Sequence, residues 1–73
     1  MTGETINRIK VVLAEKRKTN KWLAEKLGKT DMTVSRWVQN KSQPSLEQLV
    51  AIANVLEVEA RELINEKKDI VGL

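Results

Sequence analysis

The sequence has no cysteine, no histidine and a single proline in 73 residues. Without cysteine there is neither a disulfide framework nor a thiolate metal site, and without histidine the imidazole ligand and the general base of neutral pH are gone. Most enzyme mechanisms leave with them, since no paired acids sit in a pocket pattern and no glycine-rich phosphate loop occurs. The expectation is a non-enzyme that uses no cofactor and no metal. Apolar runs stop after a few residues, far short of the ~20 that cross a bilayer, and the opening Met1-Thr2-Gly3-Glu4 lacks a basic stretch followed by an apolar one. A cytoplasmic chain with no membrane partner is therefore expected. Its length suits one domain over 1–73, with a core at about 6–64 and a short tail at 65–73. With no second domain expected, no small-molecule effector site is expected either. Near this size only ~60% of the unfolded surface is buried, so the core must be efficient.

Charge is unevenly distributed. Residues 1–44 carry ten Lys and Arg against four acids, net +6, whereas residues 45–73 carry three against six, net −3. A cluster of cations points at a polyanion, because nucleic acid releases condensed counterions when lysine and arginine neutralise it. A solvated basic face without a partner is the competing explanation.

Apolar spacing predicts helices almost throughout. Ile6, Ile9, Val12 and Leu13 recur at three and four residues and predict a first helix at about 4–16. After Lys16-Arg17-Lys18, Thr19 is a candidate N-cap for a helix at 20–27 that carries Leu23, Ala24 and Leu27, and Gly28 supplies its end. Thr30 is the next N-cap candidate, before a helix at 31–39 with Val34, Trp37 and Val38 on its buried stripe. A polar loop from Asn40 to Pro44 leads to Ser45, which has capping-box spacing to Gln48. The helix that follows, 46–56, shows the stripe Leu46, Leu49, Val50, Ala53 and Leu56. Ala60, Leu63 and Ile64 predict a short fifth helix at 60–64. The class is all-α.

Two short helices joined by a glycine-led turn, with a small residue four positions before that glycine, form the helix-turn-helix pattern. Ala24 lets the helix backbones approach, Gly28 permits the sharp turn, and Leu23, Leu27, Val34 and Trp37 lock the crossing so that the second helix projects rigidly. In this order the chain resembles the Cro/cI-type (XRE-like) helix-turn-helix regulators of bacteria and phage over about residues 6–64. The resemblance rests on Leu23-Ala24-Glu25-Lys26-Leu27-Gly28, Thr33-Val34-Ser35-Arg36-Trp37, Pro44-Ser45-Leu46-Glu47-Gln48-Leu49 and Leu63. It implies a five-helix, lambda-repressor-like domain that binds double-stranded DNA as a homodimer on (pseudo)palindromic operators and regulates transcription. Bacterial or phage cytoplasm, with nucleoid association when bound, is the location it implies. Four positions depart from the family: Leu13 stands where Arg is common, Lys29 where an apolar residue is usual, Val38 where Glu is frequent and Asn40 where Gly is frequent.

At 100° per residue, with Val34 facing inward, Met32, Arg36 and Gln39 lie on the opposite side of the third helix and Thr33 and Ser35 flank them. The candidate base contacts are Asp31, Met32, Ser35, Arg36 and Gln39. Arg36 suits guanine O6 and N7, Met32 a thymine methyl, and Ser35 either a donor or an acceptor edge. Asp31 either accepts from a cytosine amino group or favours the positive end of the helix dipole; the resemblance places it at a base-contacting position. Candidate phosphate contacts are Asn20, which matches the family's usual Gln, with Lys29, Thr30, Thr33, Asn40, Lys41 and Ser42 around the third helix. Thr19 and Thr30 also read as plain caps, and Lys16, Arg17 and Lys18 as a solvated loop that raises the association rate. Trp37 reads as core. Trp22 covers the core edge, stacks near the DNA backbone, or belongs to a partner surface.

A single module of this size buries only ~600–1,000 Å² on DNA, so pairing through helices four and five or through Ile70, Val71 and Leu73 is expected. A repressor or controller protein is the leading expectation. The alternative is an antitoxin that binds a toxin and its own operator.

Overall fold

The computed structural model describes residues 5–65. Four α-helices and a closing 3-10 turn run in the order α1 (Ile9–Lys16), α2 (Asn20–Leu27), α3 (Asp31–Val38), α4 (Leu46–Leu56) and Ala60–Leu63. Each of the three central starts is set by the side chain that the local pattern predicts. Thr19 Oγ1 accepts from the Trp22 amide at 3.0 Å and Thr30 Oγ1 from the Thr33 amide at 3.2 Å. Ser45 and Gln48 form a reciprocal capping box, each side chain bonded to the other's amide, at 3.1 and 3.0 Å. Between α2 and α3, Gly28 takes φ 69, in the left-handed region, and lets the Lys29 amide donate to the Ala24 carbonyl at 2.9 Å.

The two ends depart from expectation. α1 starts at Ile9 instead of residue 4, because residues before it are pulled into an isolated antiparallel bridge between Asn7 and Ile64. The Arg8 amide donates to the Leu63 carbonyl at 2.8 Å and the Asn65 amide to the Ile6 carbonyl at 3.0 Å. Asn7 Oδ1 accepts from the Ile9 amide at 3.0 Å and so caps α1 from one position further back. Ile6 consequently leaves the buried stripe and is 41% exposed. At the other end the expected fifth helix, 60–64, is a 3-10 turn that stops at Leu63, since Ile64 must turn extended to enter the bridge.

α4 has the expected span but a rotated buried face. Leu49, Ile52, Ala53 and Leu56 point inward, whereas Leu46 and Val50 are 76% and 45% exposed. Both sets satisfy helical spacing, and the choice is made by what lies opposite: α4 packs on α1, α2 and the 3-10 turn. α2 thereby packs against both α3 and α4. Ile9, Leu23, Val34, Ile52 and Leu63, one from each element, are fully buried at the centre. Each such side chain contributes roughly 1.5–3 kcal/mol. Leu13 and Val38, where the resembled family favours Arg and Glu, both belong to this buried cluster, so apolar packing occupies the place of a charged pair. Asn40 takes φ 61, a left-handed conformation that explains why Gly is frequent at that position.

Candidate nucleic-acid interface

α3 is divided lengthwise. Val34, Trp37 and Val38 are buried, Trp37 at 4% exposure as its side of the helix predicts, while Asp31, Met32, Arg36 and Gln39 are exposed and Ser35 is half-buried. All five candidate base-contacting residues, together with Lys41, line one open depression on the outer side of the helix. Ala24, 1% exposed, and the Gly28 turn allow α2 to seat closely behind α3, so the depression is borne on a rigid support. Gln39 Nε2 donates to Ser35 Oγ at 3.0 Å, one turn back, which orders both amide and hydroxyl before any ligand arrives. Among the described residues, the ion pair found joins Arg61 to Glu59 at 3.5 Å, and the Arg36 guanidinium is engaged by no carboxylate. It is available as a forked donor.

The candidate phosphate contacts divide into two groups. Asn20 is the first residue of α2 and half-buried; Lys29, Lys41 and Ser42 are exposed at the two ends of α3. Lys41 and Ser42 curl back under that helix, their amides donating to the Arg36 carbonyl at 2.9 and 3.4 Å. Thr30 is committed to capping, and its hydroxyl also donates to Thr33 Oγ1 at 3.0 Å, leaving the Thr33 hydroxyl proton free to donate outward. Asn40 is engaged within the fold. Its Oδ1 accepts from the Ile6 and Asn7 amides at 2.9 and 2.8 Å and from Gln43 Nε2 at 3.1 Å, and its Nδ2 donates to the Asn7 carbonyl at 3.2 Å. The carboxamide fastens the chain's first segment to the end of α3, with one Nδ2 proton left over.

Sequence reasoning missed the other half of that fastening. Asn7, 3% exposed, donates through Nδ2 to the Trp37 carbonyl and to Gln43 Oε1, both at 2.8 Å. Its partners lie 30 and 36 residues away, so no local pattern marks it. Also missed were Arg8 and Lys10, which line a second depression with Val11, Asn20, Gln39 and Asn40. Gln39 lines both depressions, so the cationic surface runs on from α3 to the start of α1. A helical wheel of α3 alone could not show this; the surplus of cations in residues 1–44 was its only signal.

Lys16, Arg17 and Lys18 are exposed. Trp22 is half-buried against the core with Lys18 Nζ 4.8 Å and Lys26 Nζ 5.8 Å from its ring centre. Among the described residues no group of three or more His, Cys, Asp or Glu could hold a metal ion, and no helix is long and apolar enough to cross a membrane. Pairing through residues 70–73 falls outside the described residues.

No curated protein matches the sequence. Among solved structures, a crystal structure of a candidate DNA-binding protein from Bacteroides fragilis is similar, with 63% identity and a TM-score of 0.81, covering 82% of this chain and 97% of that one. The helix-turn-helix family model matches residues 9–63, from the first residue of α1 to the end of the 3-10 turn. With the capped pair α2 and α3, the left-handed Gly28 between them and a match over most of its length, the chain belongs to the helix-turn-helix family, of the XRE-like type that its sequence resembles.

Proposed function

We propose that the protein is a sequence-specific, double-stranded-DNA-binding transcriptional regulator, a repressor or controller that sets α3 into the major groove of an inverted-repeat operator as a homodimer. The observation that carries this reading is the convergence of Asp31, Met32, Ser35, Arg36 and Gln39 on one open depression with Lys41 at its rim. Side chains of different chemistry on one rigid helix face suit the donor, acceptor and methyl pattern of base edges, and the surrounding cations suit phosphates. The similarity to the Bacteroides fragilis protein supports the same reading. Dimerisation follows from area, because one module alone covers only ~600–1,000 Å² of DNA. Leu46 and Val50, exposed one turn apart on α4, support that helix as the pairing face.

Fluorescence anisotropy with labelled duplexes over a salt series tests the division of labour. Arg36→Ala is expected to reduce discrimination at one or two base pairs per half-site by about 1–3 kcal/mol while leaving non-specific binding in place. Lys41→Ala is expected to weaken every duplex alike and to lower the salt slope by about one. An Arg36→Ala protein with unchanged sequence preference would contradict the placement of α3.

A further inference from the structure

On the flank of α2 turned toward α4 lies a groove of about 280 Å³ lined by Lys16, Lys18, Trp22, Val55, Leu56 and Glu57. None of these residues lines the depression on α3. α2 packs against both α3 and α4, and the groove draws its lining from the end of α1, from α2 and from the end of α4 rather than from α3. We propose that this groove docks an acidic protein segment with an apolar anchor, and does so while α3 occupies DNA.

The chemistry of the lining selects that partner. Trp22 is half-buried and packs on the core, yet its ring borders the groove and lies within cation–π reach of Lys18 at 4.8 Å and Lys26 at 5.8 Å. Arg17 ends α1 in a left-handed turn, φ 59, that brings Lys18 back over the ring and leaves Lys16 on the same rim. Among the described residues none of these lysines is paired with a carboxylate. The two ammonium groups held over the ring, those of Lys18 and Lys26, have lost part of their rotamer freedom in advance, which lowers the ordering cost of meeting carboxylates. Half-buried Val55, with Leu56 almost fully buried beside it, gives the lining an apolar part that suits a leucine-like side chain. At about 280 Å³ the space falls below the ~300–1,000 Å³ of small-molecule sites and suits one or two side chains of a peptide. Glu57, the single acid on the rim, repels a second carboxylate there and so biases the direction in which an acidic segment can lie.

The chain contains two tryptophans, one at the groove and one in the core, so the two indole N–H resonances in nitrogen-15 NMR report on the two places separately. The probe is a synthetic peptide alternating glutamate and leucine, titrated into the full chain with and without bound duplex DNA. The expected result is a saturable shift of the Trp22 resonance with Trp37 unmoved, retained on the DNA complex. Combining Lys18→Gln with Lys26→Gln, both exposed and therefore compatible with folding, should weaken the peptide by about tenfold or more. The same peptide with glutamine for glutamate should not bind. Three outcomes would overturn the proposal: no shift at millimolar peptide, equal affinity for the double variant, or displacement of the peptide by duplex DNA of arbitrary sequence, which would assign the groove to nucleic-acid phosphates. None of these depends on α3 reading sequence.

Discussion

The helix-turn-helix unit, residues 19–39, and the fastening around Asn7 and Asn40 are built by opposite means. In the first, every decisive hydrogen bond is local: Thr19 to Trp22, Thr30 to Thr33, and the Gly28 turn back to Ala24 and Glu25. In the second, the bonds join residues 30 to 36 positions apart, from the start of α1 to the end of α3 and the loop beyond it. The first orients α3 by its own turn, and the second anchors that helix's far end to the body. Local caps are individually modest. A buried side chain that serves three partners at once is not, because deleting it strands several polar groups together.

Asn7→Ala should therefore be the most damaging change to either region's hydrogen bonds, destabilising by about 2–4 kcal/mol, since the α1 cap is lost and the Trp37 carbonyl and Gln43 amide lose a buried donor. Urea denaturation followed by circular dichroism measures it, and a loss below about 1 kcal/mol would show that the fastening is ornamental. Asn40 sharpens the comparison, because its backbone and its carboxamide act separately. Asn40→Ala removes the carboxamide and leaves at φ 61 a residue that tolerates the left-handed region less well than asparagine, at a cost of about 2–3 kcal/mol, whereas Asn40→Gly relieves the backbone and should cost about 1 kcal/mol less. Equal melting temperatures for the two variants would remove the backbone part of that explanation.

These two asparagines also mark where the sequence was legible. α2, α3 and α4 lie within a residue of their expected bounds because their starts and stops are written within four residues of where they act, in Thr19, Gly28, Thr30 and Ser45. The candidate reading face was legible for the same reason: a helical wheel anchored on Val34 needs only α3. What failed was whatever depends on a neighbour distant in sequence. Ile6 fits the α1 stripe but is drawn into the bridge to residue 64; Val50 fits the α4 stripe but Ile52 faces the core. The bonds from Asn40 to Ile6 and Asn7 were illegible for the same reason, as no spacing rule places those residues beside it.

Smaller effects belong to the local side of the comparison. Gly28→Ala should cost about 1 kcal/mol from its φ of 69 alone, as nothing lies within 4 Å of an added β-carbon. Thr30→Ala should cost a similar ~1 kcal/mol, read as a shift in the urea midpoint with an unchanged slope. Arg36→Ala, an exposed side chain without an ion pair, should move stability by no more than about 0.5 kcal/mol while altering DNA preference, separating the two roles of α3 within a single helix.

The central claim, that the outer face of α3 reads sequence on behalf of a dimer, is tested most directly by selecting bound duplexes from a random DNA pool at moderate salt and sequencing the survivors. The predicted result is an enriched inverted repeat with half-site centres about 10 bp apart, lost from the Arg36→Ala protein at one or two positions per half-site. Survivors with no enriched sequence, or an enriched repeat that Arg36→Ala leaves intact, would contradict it.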